Sequence, residues 1–444
     1  MTVAASPSAH APAERSGGLG VREVYTTELL KLRAQLAPRL LALLAVCGPF
    51  AFALLLNVQS GTPADALFGA WVHTSGFAVS LVVLGFAGNF GFPIIVGALA
   101  GDLFSSEDRF GTWKTILTRS CSREDVFAGK VLAVGTVAAL MTALLAGSSL
   151  GAGALLVGLH PLVNLSGELT SGGRLMLLTL IAWAYCLLPA LAYTSVAVLV
   201  SVATRNGILG VLAPLVLALI TQLLELVGRG VAVHMLLIGS GFDGWHGLFV
   251  SRPFLGPLAV SALVCLLWIA VCLGASWRLL RRRDFVSRSA GSSWALPLRV
   301  VAVAVVVIGM LALGGGLGPG AVTGRRLEQS IGATVNNATL LQQALIGRIA
   351  PPGARLRVEP HCNKRGAADT GPGDWLCNVY VYLPQPKAVP FQQSNVEYDV
   401  SVQYNGCWKA SSPPAFVGGQ TMTDLAGRQV NNPLFVVYGC FNVL

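Results

Sequence analysis

Long apolar runs, nearly free of charge, alternate along this chain with short polar islands. They fall at about 39–57, 74–100, 129–157, 175–203, 207–226, 254–277 and 297–316. Each has around 20 residues or more, enough for a helix to cross ~30 Å of hydrocarbon. Backbone polar groups must pair within the segment there, so the runs predict seven membrane-spanning helices. Glycines crowd the second and third runs and predict close helix approach, while Pro189 predicts a kink in the fourth. Ahead of the first run, residues 21–37 mix Val21, Val24, Leu29, Leu30, Leu32 and Leu36 with Arg22, Glu23, Glu28, Lys31 and Arg33. That pattern predicts an amphipathic helix lying along a membrane face. Residues 1–20 are rich in Ala, Pro, Ser and Gly, predict disorder, and lack the apolar core of a signal peptide. The apolar loop 227–253 is marginal for a crossing and reads as a re-entrant hairpin.

From about residue 320 the pattern changes. Leu327, Ile331, Val335, Leu341, Leu345 and Ile349 recur at helical spacing, predicting a helix over 325–349. Alternating segments at 354–359, 375–383, 396–404 and 434–443 predict strands. Turn residues lie between them at Gly371–Gly373, Asn405-Gly406 and Ser412–Pro414. Residues 320–444 therefore form a small α+β domain. Cys362, Cys377, Cys407 and Cys440 all lie in it, and an even number confined to one segment reads as two disulfides in an oxidising space. Pairing sequence neighbours, Cys362–Cys377 and Cys407–Cys440, is one of the three possible connectivities. Cys47, Cys186, Cys265 and Cys272 sit inside apolar runs as small buried hydrophobes.

Composition supports the membrane reading: 54% of residues are hydrophobic, 11% are charged and the mean hydropathy is +0.67, against about 25% charged in soluble domains. The net charge of +10 is not a nucleic-acid footprint, because the basic residues gather at the ends of apolar runs. Seventeen Lys and Arg fall in segments on the side of the N-terminus, and only Arg174, Arg229 and Arg252 fall in the short loops opposite. This asymmetry puts the N-terminus in the cytosol of a plasma-membrane protein. Seven crossings then place the cysteine-bearing domain outside the cell. The basic segment Arg278–Arg288 reads as an anchor at anionic headgroups.

The chain carries little chemistry of its own. The runs hold essentially no Asp, Glu, Lys or Arg at mid-depth, which argues against a proton-coupled secondary carrier. Gly129-Lys130 has the dipeptide of a phosphate loop, but Glu124 and Val131 stand where Gly and Ser or Thr belong. His361, Cys362 and Cys377 match no zinc spacing, and no nucleophile–base arrangement is visible. The expectation is a protein that is not an enzyme, with no catalytic, cofactor or metal site, whose energy comes from a partner.

The polar island at 105–130 carries the most information. Ser105 with Asp108 reads as a capping box, and Phe110, Trp113, Ile116 and Leu117 share one face of a helix over 105–120, with Lys114 and Arg119 turned away. After the break at Ser120-Cys121, Ser122 with Asp125 predicts a second helix start running into the third apolar run. The series Glu107-x-x-x-Gly111-Thr112, Leu117, Ser122-Arg123 and Lys130 resembles the cytosolic signature of the permease subunits of type-2 ATP-binding-cassette exporters, with Ser120 or Cys121 where the family has Pro. The resemblance spans roughly residues 20–285.

What the resemblance implies is an all-α polytopic permease domain over 21–288, with six spans and a coupling helix at 105–120. The seventh helix at 289–319 and the extracytoplasmic α+β domain at 320–444 are additions to that plan. It implies docking of separate ATPase subunits, which hold the ATP and Mg, through Glu107, Phe110, Gly111, Thr112, Trp113, Leu117, Arg123 and Lys130. It also implies pairing with an identical or different second permease within membrane lipid, and no nucleic acid. Asn89 and Gln222 are the polar points of a path for a drug, lipid, glycolipid or peptide. The rival expectation is a membrane-anchored sensor acting through its disulfide-bonded domain.

Overall fold

The structure, a computed structural model, describes residues 20–58, 63, 66–118, 122–227, 234–283, 322–351, 353–366, 369–383 and 392–443. The expected N-terminal tail (save Gly20) and the seventh helix at 297–316 lie outside the described residues, as do Arg119, Ser120 and Cys121.

An amphipathic helix α1 (Val21–Ala34) leads at Gln35 into α2 (Leu36–Val58). Then come α3 (Gly76–Phe86), a π-helical turn at Ala87–Gly91, and α4 (Phe92–Ala100). Two short helices, α5 (Ser105–Arg109) and α6 (Trp113–Thr118), precede the long α7 (Arg123–Leu156). A small hairpin of β1 (Leu162–Val163) and β2 (Leu169–Thr170) connects to α8 (Gly172–Thr204), followed by α9 (Gly207–Val227) and α10 (Gly256–Arg281). Among the described residues five helical stretches are long and apolar enough to cross a membrane: Leu36–Leu56, Gly76–Arg109, Arg123–Leu156, Gly172–Thr204 and Gly256–Arg281. A shorter apolar stretch, Gly207–Leu223, lies where the fifth run predicts a span.

Small residues set the helix crossings. A Cβ on Gly76 would lie 2.4 Å from the backbone of Gly153, and one on Gly210 would lie 2.4 Å from the Gly101 carbonyl. Only glycine lets α3 meet α7 and α4 meet α9 at that distance. Between α9 and α10, residues 234–253 form 3₁₀ turns at Gly239–Asp243 and His246–Phe249, where a re-entrant hairpin was expected. These turns are packed into the bundle: Phe242 stacks on Phe92 with centroids 5.3 Å apart, and Trp245 is 1% exposed.

The C-terminal region is β-rich. α11 (Gly324–Leu345) buries Leu327, Ile331 and Val335 against an antiparallel sheet of β3 (Arg357–Lys364), β4 (Gly373–Leu383), β5 (Gln392–Val402), β6 (Cys407–Ser411) and β9 (Val436–Cys440), in that order. A satellite hairpin joins β7 (Thr421–Thr423) to β8 (Gln429–Asn431). The first strand starts later and runs longer than expected, and it tolerates Pro360 because β3 is the edge of the sheet. Cys362 lies opposite Cys377 and Cys407 opposite Cys440 in the strand register, and both pairs are disulfide-bonded. Cys186, Cys265 and Cys272 are buried free thiols, and Cys47 is exposed.

The sheet sits on the helical bundle through β6 and β9. Cys407, Val436, Tyr438 and Cys440 join the helical core instead of the core under α11. Tyr438 accepts at its hydroxyl from the Ala70 amide (3.1 Å), Asn431 donates to Ala70 O (2.6 Å), and Asn337 donates to Ser166 O (2.8 Å).

Candidate functional site

The polar island forms one end of the bundle, and its scaffold is a buried group of charges. Lys130, on the second turn of α7, is 1% exposed. Its Nζ lies 3.0 Å from Glu107 Oε1 and 3.1 Å from Glu28 Oε1, and it donates to Leu103 O at 3.1 Å. Lys31 Nζ completes the set, 2.8 Å from Glu28 and 3.0 Å from Glu107. Two positive and two negative charges thus share one locus, buried at Glu28, Glu107 and Lys130 and open to solvent at Lys31, and the Thr112 hydroxyl and amide donate to the Glu107 side chain and carbonyl. Burial works against the charge on Lys31, but the Glu28 and Glu107 carboxylates outweigh it and raise its pKa. Removing one member of such a set leaves an uncompensated buried charge, at a cost of about 3–5 kcal/mol.

Gly129 explains how α1 reaches this locus. A Cβ there would lie 2.7 Å from Val24 and 3.0 Å from the Tyr25 backbone nitrogen. Glycine admits the α1 backbone, and the next residue puts a cation between two acids. The Gly129-Lys130 dipeptide that fails as a phosphate loop is therefore a helix-docking pair. α1 is not a helix with its apolar face alone turned inward: it buries Glu28 and Leu32 and leaves Leu30 65% exposed.

The expected continuous helix over 105–120 is two short helices broken at Phe110–Thr112. Gly111 adopts φ +65°, a left-handed conformation that glycine takes without steric cost. This break separates Phe110 from Trp113: Phe110 is 70% exposed and Trp113 is 5% exposed, so they do not share a face. Trp113 stacks near Phe104, with Arg283 over its ring at 5.8 Å. Nor does Ser105 cap α5. The chain is already helical at Phe104, and the Ser105 hydroxyl donates back to Asp102 (3.0 Å) while Asp108 pairs with Arg283. The second capping signal is present in full: Ser122 Oγ accepts from the Asp125 amide at 3.0 Å, and Asp125 accepts from the Ser122 amide.

The predicted site residues thus fall into two layers. Glu107, Trp113 and Lys130 face inward, with Thr112 half-buried beside them. Arg123 donates to the Arg281 carbonyl (2.6 Å) at the end of α10, and Leu117 lies in the last turn of α6. Phe110 and Gly111 face out, together with Lys114 and Thr115, and Arg109 lies over the Phe110 ring at 4.8 Å. Sequence reasoning missed Glu28, Lys31, Asp108 and Arg283. A lysine just inside an apolar run needs a counter-charge, and that requirement was the available signal for Glu28.

Nearer the C-terminal domain, Asn89 and Gln222 are brought together: Gln222 Nε2 donates to Asn89 Oδ1 at 3.1 Å. Asn89 lies in the π-helical turn, a distortion frequent at functional positions. Among the described residues no group of three or more His, Cys, Asp or Glu is arranged to hold a metal.

No curated protein matches this chain. A family model does, that of the ABC-2 family transporter proteins, across residues 25–225, from α1 into the end of α9. That range contains the charged locus and both short helices, while α10 and the C-terminal domain lie beyond it. Taken with the apolar helices, it makes the chain a multi-pass membrane protein. Residues 25–225 match the ABC-2 family transporter model, a family whose members are the membrane components of ABC transporters and work with ATPase subunits.

Proposed function

We propose that this chain is the permease half of an ATP-driven exporter that moves a hydrophobic or amphipathic compound out of the cell. The N-terminus and the α5–α6 end lie in the cytosol, the disulfide-bonded domain lies outside, and two permeases pair around the path. A separate ATPase docks on the exposed face of α5–α6. One observation carries this reading: Phe110 stands exposed on a left-handed glycine turn, while Glu107 and Asp108 just before it are tied by buried charge to α1, to α7 and to Arg283 just past α10. An exposed aromatic group on a rigid mount suits a pocket on a partner, and the mount carries a push into three long helices at once. Phe110→Asp tests it, because the side chain already lies in water. The variant is expected to keep its unfolding midpoint and lose co-purification with the ATPase. An ATPase that stays bound, with transport intact, would overturn the docking assignment.

A further inference from the structure

At the opposite end from the charged locus, the bundle and Gln403 of the C-terminal domain border a half-open cavity of about 240 Å³. Its wall includes Leu81, Val82 and Phe86, and its polar groups are Asn89, Asp243, Trp245, His246 and Gln403. Gly85 also lines it, and a Cβ there would meet nothing within 4 Å. Two features mark it as built for a ligand. Trp245 is 1% exposed, yet its indole N–H has no acceptor among the described residues, and a buried donor left unpaired is costly. Asp243 is held in place from the C-terminal domain, its Oδ2 accepting from the Tyr404 hydroxyl at 2.7 Å. Its Oδ1 lies 3.9 Å from His246 Nε2, beyond hydrogen-bond reach.

The donors and acceptors narrow the ligand. His246 Nδ1 lies 3.3 Å from Asn405 Nδ2. An amide N–H donates there, so the neutral ring carries its proton on Nε2. Asn89 uses its carbonyl oxygen toward Gln222 and keeps its N–H₂. The cavity wall thus holds one carboxylate oxygen together with N–H donors on Trp245, His246 and Asn89, the Trp245 N–H being covered in the free chain. An ammonium group would satisfy the carboxylate and leave the N–H groups dry. An anion would meet the N–H groups and be repelled by Asp243. A hydroxyl both donates and accepts, and two or three on one ring would satisfy the whole set. The volume is below the ~300–1,000 Å³ typical for a whole drug-sized ligand, so it fits a head group whose tail follows the apolar wall.

We propose that this cavity binds the hydroxyl-bearing head, a glycoside or polyol, of an amphipathic molecule, and that the C-terminal domain completes the site through Gln403 and by fixing Asp243 and His246. As a holding site for exported cargo it rests on the permease reading above; as a binding site it does not.

The test titrates the full chain in lipid nanodiscs with hexyl glucoside, hexyltrimethylammonium and hexyl sulfate, and follows heat or thermal midpoint. Hexyl glucoside is expected to saturate and the other two are not. Asp243→Asn and Gly85→Leu should each weaken it about tenfold or more, and Trp245→Phe about three- to tenfold. Gly85→Leu grows into open space, so its fold is expected to persist, and an unchanged thermal midpoint without ligand checks this. Equal binding of all three amphiphiles, no saturation with the glucoside, or full affinity in Gly85→Leu would overturn the proposal. ATPase co-purification from the same preparations separates the two readings. Glucoside binding without an ATPase supports the site and removes the permease reading, whereas an ATPase without glucoside binding removes the site alone.

Discussion

The two ends of the helical bundle are held by different physics. At the α1–α5–α7 end four ionised side chains meet in a nearly dry locus. At the other end the C-terminal domain is seated by hydroxyl, amide and ring contacts: Tyr404 to Asp243, Asn405 to His246, Tyr438 to Ala70, and the His234–Tyr404 stack at 4.9 Å. Buried charge is intolerant. It costs several kcal/mol when one partner is lost, so it holds elements in a single arrangement. Hydrogen bonds of this kind exchange with water at a net ~1 kcal/mol each, somewhat more to the Asp243 carboxylate, so a seat that relies on them parts in steps. A rigid end suits the transmission of force, and a separable end suits binding and release.

The comparison is broken most severely by Lys130→Met. It leaves Glu28 and Glu107 buried with only the half-exposed Lys31, and should cost about 3–5 kcal/mol in denaturant unfolding, with new proteolysis at residues 105–118. Adding Glu28→Gln should restore part of this, with a coupling of about 1–3 kcal/mol; simple additivity would mean that the four charges do not act as a set. The seat is tested next by removing the Cys407–Cys440 disulfide, whose residues are 33 apart. Calorimetry should show a loss of about 3–4 kcal/mol confined to the C-terminal domain. Tyr404→Phe removes one hydrogen bond to a carboxylate and should cost about 1.5–3 kcal/mol. Hydrogen exchange should rise in residues 234–249 and remain unchanged in α1. Smallest is the effect of Asp424, which belongs to neither end. The Arg428 amide, and then its guanidinium and the Ala426 amide, hold the Asp424 carboxyl below its ordinary 3.8. Its contribution is fully present above that value and disappears as the pH falls through the lowered one. An Asp424→Asn chain should therefore differ from the parent at pH 6 and converge on it as the pH falls through that lowered value.

Much of the frame was legible in the residues. Apolar runs marked the long helices, Ser122 with Asp125 marked the start of α7, and two pairs of neighbouring cysteines marked the cross-strand disulfides. Such signals are local, and local geometry suffices to satisfy them. The site was legible in membership and not in orientation. Whether Glu107 and Trp113 point in or out depends on Gly111 turning left-handed and on Glu28, 79 positions away in the chain, supplying a second acid. Arg283 read as a headgroup anchor because its pairing with Asp108 spans 175 positions. The strand Cys407–Ser411 was missed because five residues including a lysine carry little alternation, although the Asn405-Gly406 turn before it was visible.

The charged locus also has a consequence for how the chain is made. Glu28 leaves the ribosome about a hundred residues before Lys130, an interval of roughly 5–20 s at 5–20 residues/s. During that time α1 carries an acid whose buried partner does not yet exist, so it must wait at the membrane surface while the first two apolar helices insert. Only when the start of α7 emerges can α1 lock, and with it the short helices between. The docking of α1 thus waits on a single late residue, and a nascent chain halted before position 130 is expected to present α1 undocked.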